Sequence, residues 1–177
     1  MDESDTRARF EQVILPHLDA AYNLARWLTH NDHDAQDVVQ EACLRALKFF
    51  GGFRGGNARS WLLTVVRNTA YTWLRQNRPQ EVTGDSTDEL EALEDTATNP
   101  GVLQARSADT ELVRQALEQL PADFRECIVL REMEGMSYKE ISDVTGVPIG
   151  TVMSRLARAR KQLQQCLVRE AQAEDVR

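Results

Sequence analysis

Apolar residues recur at three- and four-residue spacing along two blocks of this 177-residue chain, separated by a stretch without that rhythm. In the first block Phe10, Val13, Ile14, Leu18, Tyr22 and Ala25 follow a helical period. Asp32 or Asp34 can cap the next helix, in which Val38, Val39, Ala42, Ala46 and Phe49 or Phe50 make one apolar stripe. Asp37, Gln40, Glu41 and Lys48 fall mostly on its other side. The segment GGFRGGN then bars regular structure, because its glycines favour a tight loop. A long helix is predicted from about Ala58 to Asn77, ending before Pro79.

The second block is also helical. Leu112, Ala116, Leu117 and Leu120 give an amphipathic helix closed by Pro121. Phe124, Cys127, Ile128, Leu130 and Met133 give another, ended near Gly135. In SYKEISDVTG, Ser137 and Glu140 have the S-x-x-E spacing of a capping box, Ile141 and Val144 face inward, and Gly146 stands where a helix stops. Val147, Pro148, Ile149 and Gly150 make a turn, and a further helix is predicted to begin near Thr151. Two short helices across a tight turn form a helix-turn-helix. The expected fold is all-α: two small helical domains, the second a four-helix domain containing the helix-turn-helix.

Charge separates the blocks further. The chain has 21 Lys and Arg against 28 Asp and Glu, a net charge of −7. Residues 1–80 hold 10 basic and 9 acidic residues, residues 81–108 hold 1 and 7, and residues 109–177 hold 10 and 12. Most of the acidic excess thus lies in EVTGDSTDELEALEDTATNPG, which reads as a flexible linker. It is either a solvated tether or a strand of chain that threads past another macromolecule. Within this acidic protein, GTVMSRLARARKQL carries Arg155, Arg158, Arg160 and Lys161 with no acidic residue among them.

Several function classes are disfavoured. No signal peptide is legible at the N-terminus, and the most apolar window, WLLTVVRNTAYTWL, is interrupted by Arg67 and Asn68, so a soluble cytoplasmic protein is expected. Cys43, Cys127 and Cys166 are dispersed and form no CxxC pair, and His30 and His33 have no third ligand nearby, so neither a metal site nor a cofactor is expected. No nucleophile–base pair or phosphate loop is present. The chain is expected to have no catalytic residue, no small-molecule substrate and no enzyme activity.

Two helices carry candidate chemistry instead. On the long helix, Leu62, Val65, Val66, Thr69 and Trp73 share one face; Thr64, Arg67, Asn68, Tyr71 and Arg75 share the opposite one. Arginine, an amide and an aromatic ring on one face suit single-stranded nucleic acid; a plain solvated face is the alternative. On the last helix, Val152, Leu156, Ala159 and Leu163 cluster in a narrow arc. Thr151, Ser154, Arg158 and Lys161 lie opposite, flanked by Arg155 and Arg160, as on a helix that enters a DNA major groove.

The stretches DAQDVVQEACLRAL, FRGGNARSWLLTVVRNTA and LPADFRECIVLREMEGMSYKEISDVTGVPIGTVMSRLARAR, with the acidic linker between the last two, resemble the extracytoplasmic-function (ECF) sigma factors of the sigma-70 family. The resemblance covers most of the chain and implies three parts: region 2 at 1–79, the linker at 80–108, and region 4 at 109–177. It implies a factor that binds core RNA polymerase, through the β′ clamp helices and the β subunit, and directs promoter-specific initiation. Asp37, Gln40 and Glu41 are then the polymerase-binding candidates. Phe53, Arg54, Asn57, Arg67, Asn68, Tyr71 and Arg75 would take the melted minus-ten element. Thr151, Ser154, Arg155, Arg158 and Lys161 would take the minus-thirty-five duplex. A cognate anti-sigma factor, holding the protein at the inner face of the bacterial membrane, is a further expected partner. Met153 stands where some relatives carry Arg. The rival readings are an autonomous helix-turn-helix regulator and a protein-binding helical adaptor.

Overall fold

The computed structural model describes residues 2–82 and 107–175, and among them every regular element is helical. Helix α1 spans Glu3–Ile14, and a 3-10 turn at Leu15–His17 leads into α2 at Leu18–Thr29. Then come α3 (Asp32–Phe49), a 3-10 turn at Phe50–Gly52, α4 (Ala58–Asn77) and the short α5 (Pro79–Val82). The second unit comprises α6 (Ser107–Gln119), α7 (Ala122–Ile128), α8 (Tyr138–Thr145) and α9 (Ile149–Asp175). Most of the expected linker, residues 83–106, lies outside the described residues.

In the first unit α2, α3 and α4 pack on one another, with α1 against α4. Leu24, Leu28, Val38, Leu62 and Val66 are buried in the centre, and the buried Ala35, Ala42 and Ala46 let α3 approach closely. Each buried Leu or Val contributes about 1.5–3 kcal/mol relative to exposure. The cap of α3 is Asn31 rather than Asp32 or Asp34: its side chain accepts the N–H groups of His33 at 2.8 Å and Asp34 at 3.1 Å. The two aspartates stand in the first turn instead, where negative charge suits the helix N-terminus. Of the two candidate phenylalanines at the end of the stripe, Phe50 is buried and Phe49 is exposed.

In the second unit α7 runs into a π-helical segment, Val129–Met133, in which the Glu134 N–H reaches back to the Val129 carbonyl at 3.2 Å. Such a wide turn shifts the helical phase of the residues after it. Met133, expected in the core from its spacing, is therefore turned outward, and Met136 fills the interior. The capping box forms as the spacing predicts: Ser137 Oγ accepts the Glu140 N–H and Glu140 Oε1 accepts the Ser137 N–H, both at 3.1 Å. Gly146 ends α8 at φ 75°, a left-handed conformation that favours glycine. The next helix begins at Ile149, slightly ahead of its expected start, and buries Val152, Leu156, Ala159 and Leu163.

The two units are in contact. Helix α4 packs against α8, and α2 packs against α7.

Candidate nucleic-acid interface

Helix α9 is seated by its apolar arc, so the opposite arc looks away from the domain. Met153 and Lys161 are exposed there, and Thr151, Ser154 and Arg158 are half-buried. The flanking cations are not equivalent. Arg155 lies 3.8 Å from the Asp123 carboxylate, with only 13% of its side chain exposed, and Arg160 lies 3.0 Å from Glu132. Arg155, expected as a groove contact, thus braces α9 against α7. The sequence grouped it with the outward cations because its partner lies 32 positions earlier, on another helix.

On α3, Asp37, Gln40 and Glu41 are all exposed, backed by the buried Val38, Ala42 and Ala46. Glu41 pairs with Arg45 at 3.0 Å and Asp37 lies 3.7 Å from His33, each along the same helix. Leu44, 67% exposed, continues the same stripe at helical spacing, and Phe49 is exposed at the end of the helix. The surface therefore combines acidic and amide groups with apolar ones. The signal for Leu44 is its spacing: it stands one helical turn beyond Gln40 and Glu41.

The loop between α3 and α4 turns through Gly55 and Gly56, at φ 86° and 98°. Arg54 is exposed on it. Phe53, expected to help form a pocket for an unstacked base, is instead packed within the first unit. Its ring stacks on Phe50 at 5.7 Å and meets Trp61 at 5.2 Å. An apolar ring beside two other aromatic rings gains more from that cluster than from exposure on a glycine loop. Asn57 caps α4 by accepting the Ser60 N–H at 3.1 Å, and its amide donates to Glu140 Oε2 at 2.8 Å.

The polar face of α4 is where expectation and structure differ most. Asn68 and Arg75 are exposed, as the helical wheel predicts. Tyr71 is buried, and the Arg67 guanidinium lies over its ring at 3.9 Å. Arg67 donates through Nε and Nη2 to the two oxygens of Glu126 at 3.0 and 3.2 Å, and the Glu126 side chain is 0% exposed. The second unit covers the Arg67 and Tyr71 part of this face, so α4 is buried on two sides there. Burial pushes the Glu126 carboxyl upward while Arg67 opposes the shift. Burial, reinforced by Glu126, raises the Tyr71 hydroxyl. For Arg67 burial works against its charge, but Glu126 outweighs it and holds the guanidinium firmly protonated.

More bonds cross the same seam. Arg59 donates to the Glu134 carbonyl at 2.9 Å and lies 3.7 Å from the Glu140 carboxylate. Asn23 donates to Glu134 Oε1 at 3.1 Å. Arg125, itself buried, donates to the Trp27 carbonyl at 2.6 Å and to the Leu120 carbonyl of its own unit at 2.6 Å.

These two helical units, one holding a capped helix-turn-helix, match known proteins along nearly the whole chain. The Sigma-70 region 2 family matches residues 13–80 and the Sigma-70, region 4 family matches residues 110–163. The RNA polymerase sigma-H factor of Pseudomonas aeruginosa is 37% identical over 182 residues, which cover 97% of this chain and 93% of that protein. The ECF RNA polymerase sigma-E factor of Escherichia coli K12 is 37% identical over 136 residues, covering 72% of this chain and 71% of that one. The chain belongs to the ECF group of the sigma-70 family.

As a sigma factor it directs transcription initiation, and nothing in these likenesses supports the rival reading of an autonomous regulator. The family is one of non-enzymatic initiation factors. The sigma factor RpoE of Bartonella quintana, solved in complex with the anti-sigma factor NepR, superimposes with a TM-score of 0.69 at 33% identity. That likeness covers 90% of this chain and 96% of that one. Among the described residues no helix is long and apolar enough to cross a membrane. Sequence reasoning missed the seam residues Asn23 and Arg59 in region 2 and Arg125, Glu126 and Glu134 in region 4, and it read Glu140 only as a capping residue. Their partners lie 59 to 111 positions away in Arg67–Glu126, Arg59–Glu134, Asn57–Glu140, Trp27–Arg125 and Asn23–Glu134, beyond the reach of helical periodicity.

Proposed function

We propose that this sigma factor docks on core RNA polymerase through the exposed face of α3 and reads promoter DNA with two separate surfaces. Asp37, Gln40 and Glu41 meet the β′ clamp helices, with Leu44 as the apolar member of the patch. Arg54, Asn57, Arg67, Asn68, Tyr71 and Arg75 track the melted minus-ten strand, where guanidinium groups meet phosphates and a ring offers a base a stacking partner. Flipping a base from the stack costs a few kcal/mol, which contacts in the GGFRGGN loop must offset. Phe53 supports that loop from inside. Helix α9 enters the minus-thirty-five major groove through Thr151, Ser154, Arg158 and Lys161, while Arg155 fixes its seat.

The observation that carries this reading is the placement of Thr151, Ser154, Arg158 and Lys161 opposite the buried Val152, Leu156, Ala159 and Leu163, directly after a capped helix and a tight turn. Short hydroxyls and Arg at such positions reach base edges. The protein works in the bacterial cytoplasm on this reading. By extension from the RpoE–NepR complex, its second partner is an anti-sigma factor.

The test is reconstituted transcription. Adding the protein to core polymerase yields transcripts whose start depends on an upstream duplex element and a downstream melted one. Transcripts that are independent of both elements, or equal activity without the protein, refute the assignment.

A further inference from the structure

The start of α9 carries an apolar ridge beside its hydroxyls and cations. Among the described residues of region 4, the large apolar side chains left exposed are Met133, Ile149, Met153 and Val168. Ile149 and Met153 stand one helical turn apart in the first two turns of α9, so they lie one above the other on one side of the helix. They are 41% and 47% exposed. The half-buried Ala157 continues the ridge with a small side chain. The core does not depend on Ile149 or Met153, because Val152, Leu156, Ala159 and Leu163 already fill the arc that seats the helix.

Position gives this ridge its chemistry. A recognition helix meets base edges with its N-terminal residues. At about 100° per residue, Thr151 and Met153 fall on nearly opposite flanks of the outward arc, with Ser154 between them. Met153 therefore reaches bases that Thr151 does not. A thioether donates no hydrogen bond and accepts only weakly, so it gains little from the donors and acceptors of guanine, cytosine or adenine. The apolar group that a major groove offers is the C5-methyl of thymine. A long, unbranched Met can adapt its shape to cover that methyl. We infer that Met153, with Ile149 beside it, is a specificity-determining residue for thymine in the upstream duplex element: the pair shields a thymine methyl from water and selects the base by that methyl rather than by hydrogen bonds.

The inference rests on the reading of α9 as the groove helix, and the experiment separates the two. Holoenzyme is reconstituted from core polymerase and full-length wild type, Met153→Ala, Met153→Arg or Arg158→Ala. Transcription is measured on a library randomised across the upstream element. Each position at which wild type prefers thymine is then remade with deoxyuridine, which lacks only the methyl group. Met153 is exposed, so Met153→Ala should melt as wild type does, and circular dichroism checks this.

Wild type is expected to prefer thymine at one position, and deoxyuridine there should lower initiation about fourfold, the effect of one methyl group returned to water. Met153→Ala should erase the difference between the two bases at that position alone. It should leave the salt dependence of promoter binding unchanged, because no phosphate contact is lost. Met153→Arg should move the preference towards guanine, whose O6 and N7 accept a guanidinium. Equal initiation by wild type on thymine and deoxyuridine overturns methyl reading. So does a Met153→Ala that loses activity equally on all sequences together with affinity for core polymerase, since Met153 is then a protein contact. An unchanged preference matrix in Met153→Ala also overturns it, and Arg158→Ala then shows which reading failed. If Arg158→Ala shifts the preference or lowers activity, α9 still lies in the groove. If Arg158→Ala keeps wild-type activity on every sequence, the placement of α9 fails and the thymine contact falls with it.

Discussion

Reversing two charges on α3 separates polymerase binding from folding, and the structure sets the scale of both effects. In Asp37→Lys/Glu41→Lys the losses within the protein are the Asp37–His33 and Glu41–Arg45 contacts, at 3.7 and 3.0 Å. Both acidic side chains are more than half exposed, at 57% and 53%. The exposed Glu41–Arg45 pair contributes about 0.3–0.5 kcal/mol, and placing Lys beside Arg45 adds repulsion of similar size. The buried Val38, Ala42 and Ala46 are untouched. The expected loss of stability is about 1 kcal/mol, a fall in melting temperature of no more than about 8 °C.

Polymerase binding should respond far more. A positive patch that replaces a negative one meets like charge where the partner surface is complementary to the wild type, and like-charge juxtaposition costs several kcal/mol. Affinity for core polymerase should fall at least about tenfold, equivalent to ~1.4 kcal/mol. The assay is anisotropy of a labelled full-length chain titrated with core enzyme at two salt concentrations, alongside a thermal melt followed by circular dichroism. Core affinity within about twofold of wild type, in a variant that melts normally, refutes the placement of polymerase on this face. Leu44→Ala gives an independent check, because an exposed leucine can be truncated with little effect on folding.

Three further outcomes are expected of the same structure. Leu156→Ala should lower the stability of region 4 by about 2–5 kcal/mol, since Leu156 is almost fully buried on the inner face of α9; urea unfolding measures this, and a loss under about 1 kcal/mol refutes its role in seating α9. Arg158→Ala in reconstituted holoenzyme should cost about 1–3 kcal/mol and relax preference at one upstream position, as expected for a base contact; uniformly weaker activity on a library randomised across that element, with an unchanged preference matrix, would identify a phosphate contact instead. His30 is held down to about 4, first by burial, then by the Arg125 charge, with Arg78 and Arg26 adding to the effect and Glu81 opposing it. Its folded form stays neutral while the unfolded imidazole protonates, so stability is lost as pH falls from about 6.5 towards about 4, up to roughly 3 kcal/mol, and His30→Gln should flatten that dependence in urea titrations.

What the sequence made legible was what each helix decides alone. The arc of Val152, Leu156, Ala159 and Leu163, the capping box of Ser137 and Glu140 and the stop at Gly146 all form as their spacing dictates. Local competition was harder to read. Asn31 takes the cap that Asp32 or Asp34 could have taken, because the chain leaves α2 in a left-handed turn at His30 and places the Asn31 side chain over the free amides of α3. Met133 misleads because a π-helical turn changes the phase that periodicity assumes to be constant. Tyr71 and Arg67 mislead for a third reason: a helical wheel assigns a residue to the outside of its own bundle, and here that outside is the surface on which a second bundle rests. No pattern within α4 distinguishes a face meant for solvent from one meant for region 4.

The basic helix in an acidic chain also looks different once the pairs are seen. Non-specific affinity for DNA grows with the number of phosphates that cations neutralise. Of the cations that the sequence placed on nucleic-acid surfaces, Arg67 and Arg155 hold carboxylates of region 4, and the adjacent Arg160 is turned to Glu132. Lys161, Arg54 and Arg75 are exposed, but they are divided between two units rather than gathered into one stripe. With Arg158 half-buried on α9, these cations form no single exposed basic stripe for free duplex. On the proposed function the remaining affinity comes from elsewhere: the exposed face of α3 on one unit is assigned to a protein and α9 on the other to a groove. On the proposed function, a polymerase that binds both units at once supplies that affinity by linkage.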